Sequence, residues 1–280
     1  MDHLQQSRPG PGTRLEVTPE SAGWDYLRFK MVALQAGESS SEETGTDEVA
    51  LVPLTGSATA TVAGERFALL RADVFEGRTS ILYAPPGSEI ALSASTDFEY
   101  AIGGAPAEGR YPVRLFQPDE MKVEIRGGGP ARRQVNHLLA HPLPAERLIL
   151  FEVYVPGGAW SGWPPHCHDG SHGSSYLEEV YYFRIEPEAG FAFHRNHSRD
   201  GSFDELFAVR DGDLVLVTQG FHPVAAAPGS RVYFLNYLAG ELQDEGRSTP
   251  PVDDPDHAWI KGNWGRGLLR LPVGHDIETG

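Results

Sequence analysis

The chain has 280 residues, 40% hydrophobic and 10% aromatic, enough for one large domain or two ordinary domains with buried cores. Its 39 acidic and 23 basic residues give a net charge of −16, and because an acidic surface repels phosphate backbones, we do not expect nucleic acid as a partner. The sequence shows a single cysteine, no signal-like N-terminus and no apolar stretch of the roughly 20 residues that span a membrane, so we expect a cytoplasmic protein without a membrane partner.

Short apolar segments that end at glycine or proline follow one another along the chain, with little helical periodicity. Two similar successions of strand, glycine turn and strand, in 48–92 and in 179–229, indicate a structural duplication. The sequence therefore predicts an all-β fold with two barrel-like domains. The expected strands include Glu48–Leu54, Ala58–Val62, Ser80–Tyr83, Leu148–Val155, Glu179–Ile185, Leu214–Thr218 and Arg231–Leu238.

The distribution of histidine separates the two halves of the chain. No histidine lies between Leu4 and Asn136, whereas six lie between His166 and His222. We expect an N-terminal barrel-like domain without metal ligands over residues 14–117, followed by a polar, glycine-rich connector over residues 118–143. A C-terminal domain over residues 144–270 is expected to carry the functional site.

A candidate metal site begins at His166-Cys167-His168. Side chains alternate along a strand, so the two histidines share one face and Cys167 points away from them. Glu179 opens the next strand, and His222 lies at a tight corner after a further one. Three imidazoles and one carboxylate are ligands for one divalent metal ion. Zinc is our first choice, and Mn, Fe, Ni and Co stay as alternatives because ligand type does not separate them.

Three longer segments contain these residues: Trp160–Asp169, Tyr176–Arg184 and Gly220–Gly229. They resemble the cupin superfamily and, within it, the 5-deoxyglucuronate isomerase family of inositol catabolism. Shorter N-terminal segments such as Tyr83-Ala84-Pro85-Pro86-Gly87 extend the likeness over about residues 14–262. Ten residues separate His168 from Glu179. This gap is longer than in the common cupin motif and points to this branch.

The resemblance implies a bicupin, with two jelly-roll β-barrels in one chain. It also implies an aldose–ketose isomerase that converts 5-deoxy-D-glucuronate to 5-dehydro-2-deoxy-D-gluconate. Its partner would be a small sugar acid, and a homo-oligomer stays open. The alternatives are an isomerase of another uronate, of the 4-deoxy-threo-hexosulose-uronate type, a cupin Fe(II) dioxygenase, and a non-catalytic sugar-binding cupin.

Further residues are candidates for catalysis and substrate binding. Isomerisation moves a hydrogen between two neighbouring carbons, which needs a Lewis acid or a group that transfers a proton. Tyr181 is the first candidate for the proton, since alternation from Glu179 turns it inward, and Glu178 is the second. The substrate carboxylate favours binding by arginine. The candidates for substrate binding are Arg184, Arg195, Arg231 and Tyr182.

Overall fold

The computed structural model describes residues 2–265, and strands make up most of its regular structure. This part of the chain contains one short α-helix, Pro19–Ala22, and three 3-10 helices, Gly129–Ala131, Asp244–Ser248 and Ala258–Gly262. Between residues 2 and 265, no helix has the length and apolarity to cross a membrane. The last residues of the expected C-terminal domain, 266–270, lie outside the described residues.

All strand pairs are antiparallel, and the predicted all-β class is confirmed. In chain order the strands are β1 (Leu4–Gln6), β2 (Gly12–Val17), β3 (Arg28–Leu34), β4 (Ser39–Glu43), β5 (Asp47–Val62), β6 (Glu65–Arg71), β7 (Ile81–Ala84), β8 (Glu89–Ala94), β9 (Phe98–Pro106), β10 (Arg114–Phe116), β11 (Lys122–Arg126), β12 (Arg133–Leu139), β13 (Ile149–Val155), β14 (Trp160–Ser161), β15 (His166–Cys167), β16 (Leu177–Glu186), β17 (Ala192–His197), β18 (Asp204–Val209), β19 (Asp213–Val217), β20 (Val224–Ala226), β21 (Arg231–Gly240) and β22 (Val252–Asp253).

The N-terminal half forms a nine-stranded sheet with the order β10-β7-β5-β9-β3-β2, to which β6 and β8 add through β5, and β4 through β8. Strand β5 merges the two strands predicted at Glu48–Leu54 and Ala58–Val62. Its first part pairs with β7 and β9, and its part from Gly56 onward pairs with β6 and β8. Gly56 has a φ of +84°, and a Cβ there would overlap the carbonyl oxygen of Asp97. Glycine therefore permits the strand to change partners at this point.

The C-terminal half contains a seven-stranded sheet in the order β1-β19-β16-β21-β13-β12-β11 and a four-stranded sheet in the order β14-β20-β17-β18. Apolar side chains from both sheets, among them Phe183, Val215 and Val224, form a buried cluster between them. A separate two-stranded sheet, formed by β15 and β22, joins His166 and Cys167 to the C-terminal segment.

The stretch 118–143, expected to be a connector, contains β11 and β12. The two strands pair with each other, and β12 pairs with β13, so the stretch is an edge of the C-terminal sheet rather than a free linker. The glycine-rich sequence that suggested a linker is the turn of this hairpin, where Gly127 has a φ of +74°. The limits of the two domains stay a prediction.

The two halves share one apolar core. Phe29 packs edge-on against Tyr237 at a ring-centroid distance of 5.3 Å. The Tyr237 hydroxyl donates to the carbonyl oxygens of Ala50 at 3.1 Å and Ala101 at 3.3 Å. A Cβ on Gly103 would lie 2.5 Å from the Tyr237 ring, so the absence of a side chain there makes room for the tyrosine. Strand β16 lies over this core and is thereby fixed in position.

Candidate metal centre

The loop between His168 and Glu179 closes on itself. Asp169 and Tyr176 form a β-bridge, and the Leu177 amide donates to the His168 carbonyl oxygen at 2.7 Å. The chain thus returns to its starting point before β16 begins. The long spacing in the sequence is a hairpin excursion that brings Glu179 back beside His168.

The corner at Gly220 presents His222. Phe221 and His197 exchange two backbone hydrogen bonds, at 2.9 and 2.8 Å. Gly220 has a φ of +75°, and a Cβ there would overlap the His197 carbonyl oxygen. The Asp169 carboxylate accepts a hydrogen bond from the Gly220 amide at 2.7 Å, which ties the histidine loop to this corner. The sequence analysis did not single out Asp169.

Three side chains converge at this place. His168, Glu179 and His222 are buried and each offers one ligand atom, and these atoms lie within 4.8 Å of one another. Nε2 of His168 is 2.9 Å and Nε2 of His222 is 3.4 Å from Oε2 of Glu179. Nδ1 of His168 lies 3.0 Å from the Leu177 carbonyl oxygen, which orients the ring and directs Nε2 to the group.

The donor set fits a divalent metal ion. Nε2 of His222 is buried and has no hydrogen-bond partner among the described residues. An unsatisfied buried nitrogen beside a carboxylate is unfavourable unless a further atom binds there. Two imidazoles and one carboxylate are a common ligand set for such an ion. The structure therefore supports a metal site on His168, Glu179 and His222.

His166, the fourth predicted ligand, lies beside this group. Its ring centroid is 4.7 Å from that of His222 and 6.4 Å from that of His168. The ring nitrogens of His166 do not belong to the group of ligand atoms that lie within 4.8 Å of one another. Burial, followed by the charges of His168 and Arg133, lowers the pKa of His166 to about 3. The ring is therefore neutral, as a ligand must be. Coordination by His166 stays a proposal.

Burial also controls the charges of the three central groups. It lowers the pKa of His222 well below its usual value, and the neighbouring histidines act in the same direction. It raises the pKa of Glu179, against the opposing effect of His168. For His168, burial disfavours the charged form, but the hydrogen bond and charge of Glu179 outweigh it and raise the pKa. His168 and Glu179 thus hold a proton that a cation would replace.

A cavity of about 310 Å³ lies against His166, His168 and Glu179. Tyr181 lines it, as alternation predicts. The Tyr181 ring centroid is 5.9 Å from that of His222. Burial, followed by the charge of Glu179, raises the pKa of Tyr181 well above its usual value. The phenol therefore remains protonated and can donate a hydrogen bond into the cavity.

Glu178 and Tyr182 project from the opposite face of β16. Alternation predicts this direction, but the face is covered by the N-terminal half rather than by solvent. Glu178 is buried and its carboxylate accepts hydrogen bonds from three backbone amides, those of Asp25, Tyr26 and Leu27. Tyr182 packs against Phe29 in the shared core. The structure does not bring either residue to the cavity, because the N-terminal half packs against both side chains.

The three arginines predicted for substrate binding also lie outside the cavity lining. Each is paired with carboxylates elsewhere on the described chain. The pairs are Arg184 with Glu99 and Asp211, Arg195 with Asp204, and Arg231 with Glu186. The expectation that one of them binds a substrate in this cavity is not supported, since their side chains point to other partners.

Sequence analysis missed the arginines that do line the cavity. They are Arg126, Arg133 and Arg247. Arg126 and Arg133 face each other across the β11–β12 hairpin, and Arg247 lies in the 3-10 helix Asp244–Ser248. The glycine-rich turn between Arg126 and Arg133 was a signal for a hairpin, which the interpretation as a connector overlooked.

Comparisons with known proteins identify the family. The sequence profile of the KduI/IolB family matches residues 3–260. The chain belongs to the KduI/IolB family. A 5-deoxy-glucuronate isomerase from Geobacillus thermodenitrificans is 42% identical over 254 residues, which cover 89% of this chain and 91% of that protein. One from Bacillus subtilis strain 168 is 34% identical over 251 residues, covering 88% and 91%. The resemblance drawn from the sequence motifs is confirmed.

Solved structures show the same fold. An IolB-like protein from Salmonella typhimurium LT2 superposes with a TM-score of 0.89 at 37% identity, over 93% of this chain and all of that one (100%). The oxalate decarboxylase of Lactobacillus farciminis superposes with a TM-score of 0.62 at 13% identity, over 87% of each chain. The latter likeness concerns the fold alone and confirms the predicted bicupin architecture of this family member.

Proposed function

We propose that this chain is a metal-dependent 5-deoxy-glucuronate isomerase. It would convert the aldose acid 5-deoxy-D-glucuronate to the ketose acid 5-dehydro-2-deoxy-D-gluconate. The observation that carries the proposal is the buried group of His168, Glu179 and His222 against an arginine-lined cavity. Relatives that are 34–42% identical over about nine-tenths of the chain bear the name of this isomerase, which supports the choice of substrate.

The residues around the cavity suit this chemistry. A divalent ion held by His166, His168, Glu179 and His222, with zinc as the first choice, would polarise the substrate's carbonyl and hydroxyl oxygens. Tyr181 keeps its proton and is suited to donate a hydrogen bond to a substrate oxygen. Apolar side chains such as Phe234 form part of the wall and limit the access of water.

The purified protein, incubated with 5-deoxyglucuronate, should produce the ketose acid. We expect the product signals in a time course of ¹³C NMR spectra, loss of turnover after chelation, and recovery on addition of Zn²⁺, Mn²⁺, Fe²⁺, Ni²⁺ or Co²⁺. Anaerobic conditions separate this activity from that of a dioxygenase, which needs oxygen. If no metal supports conversion, the proposed function is wrong.

The variant His168→Ala tests the site itself. Removing one ligand from a buried set should lower both metal content and kcat by at least about 100-fold. His172→Ala is the matched control, because His172 is exposed in the neighbouring loop and lies outside the metal group. Metal content is measured by plasma mass spectrometry. Full activity and full metal content in His168→Ala would refute the assignment.

A further inference from the structure

The cavity beside the metal group is positively charged within an acidic protein. The chain has a net charge of −16, yet three arginines line the cavity. Among the described lining residues, Glu179 is the one carboxylate, and it belongs to the metal group. A concave site with such an excess of cationic groups attracts an anion and raises its local concentration.

Two of the three arginines already have partners. Arg247 is buried, and its guanidinium donates to the carbonyl oxygens of Leu139, Leu143 and Leu148, so it fixes the backbone around the cavity. Arg126 forms an ion pair with Glu124. Its side chain is 43% exposed. These contacts give both residues a structural role within the protein.

Arg133 is bonded through Nη1 alone among the described residues, whereas Arg247 donates through both Nη atoms and Arg126 has a carboxylate partner. It is buried, and its Nη1 donates to the carbonyl oxygens of Ala131 at 3.1 Å and Trp163 at 3.3 Å. Its Nε is buried without a hydrogen-bond partner in the described part of the chain, as is the Nε of Arg247. No carboxylate between residues 2 and 265 lies within 4.0 Å of its guanidinium nitrogens. A buried cation without a paired anion is unfavourable, so its retention at this position calls for a ligand.

The surrounding chain leaves room for this guanidinium. A Cβ on Gly127 would lie 2.9 Å from Nη1 of Arg133, and the φ of +74° at Gly127 favours glycine in any case. Burial, followed by the charge of Arg126, lowers the pKa of Arg133 to about 10, so the side chain is still charged at neutral pH. Arg133 lines the same cavity as His166 and Tyr181.

We propose that Arg133 binds the carboxylate of the sugar-acid substrate and thereby orients its carbonyl end toward His168, Glu179 and His222. This inference rests on the proposed function and adds the group that selects an acid over a neutral sugar. A guanidinium can grip a carboxylate with two parallel hydrogen bonds, and Nη2 of Arg133 has no partner among the described residues.

The test combines a change in the enzyme with a change in the substrate charge. The wild type, Arg133→Gln and Arg133→Lys are each assayed with 5-deoxyglucuronate and with its carboxamide. Arg133→Gln should lower kcat/KM for the acid about 100-fold and for the amide less than about 3-fold, because only the acid loses a charged partner. The kcat/KM of Arg133→Lys for the acid should lie between those of the wild type and of Arg133→Gln, because lysine keeps the positive charge but lacks the planar guanidinium group. Arg132→Gln, at the exposed neighbouring position, is the control.

A binding measurement separates this inference from the proposed function. Borohydride reduction of 5-deoxyglucuronate gives an acid that cannot be isomerised, and calorimetry measures its Kd for each variant. We expect Arg133→Gln to weaken binding of this acid about 100-fold without a loss of metal content. Equal losses for acid and amide, or an unchanged Kd for the reduced acid, would overturn the inference even if the wild type is an isomerase. If Arg133→Gln does not fold, equal affinity of the wild type for acid and amide would overturn it as well.

Discussion

His194 supports the wall of the cavity behind Tyr181. Its ring meets that of Tyr181 edge-on at a centroid distance of 4.8 Å. Its Nε2 is 2.9 Å from Oδ1 of Asn196, whose amide in turn donates to the Leu216 carbonyl oxygen. Burial, although opposed by the Asn196 hydrogen bond, lowers the pKa of His194 to about 4. The folded protein therefore keeps this histidine neutral.

A buried neutral histidine makes stability depend on pH. The pKa of His194 in the folded chain lies below that of an unfolded histidine, about 6.5, so between pH 6.5 and about 4 the unfolded chain binds more protons. Its contribution is complete above pH 6.5 and is lost as the pH falls toward 4. We expect His194→Gln to reduce the pH slope of the unfolding free energy in this window by up to about 1.4 kcal/mol per pH unit.

Urea unfolding of metal-free protein at several pH values measures this slope. His172→Gln is the control, because His172 is exposed in a neighbouring loop. The same slope in His194→Gln and the wild type would contradict the prediction.

Among individual residues, those of the metal group were easier to predict from the sequence than the arginines that line the cavity. The shared face of His166 and His168 could be predicted because strand alternation is a local rule that fixes relative directions within a few residues. Arg184 points toward Asp211, and Arg195 points toward Asp204. The sequence alone does not show which acidic residue will lie beside a given arginine, so these directions could not be predicted. An unpaired arginine is recognisable only when all neighbouring carboxylates are known.

Among the elements, β22 is short but holds the C-terminal segment beside the site. It pairs with β15, so that Asp253 lies opposite His166, and the Asp254 amide donates to the Pro165 carbonyl oxygen at 2.7 Å. Asp254 is buried and accepts hydrogen bonds from the Asp256 amide and from Nδ1 of His257. The preceding residues Ser248, Thr249, Pro250 and Pro251 line the cavity. The C-terminal segment is therefore a wall of the site.

Replacing Asp254 should loosen this wall. Asp254→Ala removes the acceptor of two hydrogen bonds, which should lower the unfolding free energy by about 1–3 kcal/mol. We also expect faster hydrogen exchange in the segment 250–257, because its anchoring is weaker. Asp253→Ala is the matched control, since the Asp253 carboxylate forms an ion pair with the exposed Lys261 near the surface. Denaturation and exchange mass spectrometry that give equal results for both variants would refute this role of Asp254.

In the whole molecule, each half provides a buried carboxylate to the backbone of the other. Glu48 of the N-terminal half accepts hydrogen bonds from the amides of Glu146, Arg147 and Leu148, at 2.5–2.8 Å. Glu178 of the C-terminal half accepts from the amides of residues 25–27. Such charge-assisted hydrogen bonds are strong and directional. Together with the shared apolar core they fix the two halves relative to each other.

This arrangement predicts cooperative unfolding. Glu48→Gln replaces an acceptor oxygen with an amino group that faces backbone donors, so it should lower the unfolding free energy by about 2–5 kcal/mol. The wild type should unfold in one transition, seen at the same denaturant concentration by circular dichroism and by tryptophan fluorescence. Glu43→Gln, at an exposed position on β4, is the control and should change little. Two separate transitions in the wild type would contradict the coupling of the halves.

The all-β class, the family and the placement of the metal group in the second half could be predicted from the amino-acid sequence. Glycine and proline punctuation, strand alternation and the clustering of histidine are local properties of the chain, and local properties can be found without coordinates. Only the packing of the folded chain shows that Glu178 faces the N-terminal half, that Arg133 has no carboxylate partner among the described residues and that residues 248–251 form a wall of the cavity. These facts depend on pairings between segments far apart in the chain, such as β15 with β22, and strand pairing at that separation follows from the packing of the complete fold.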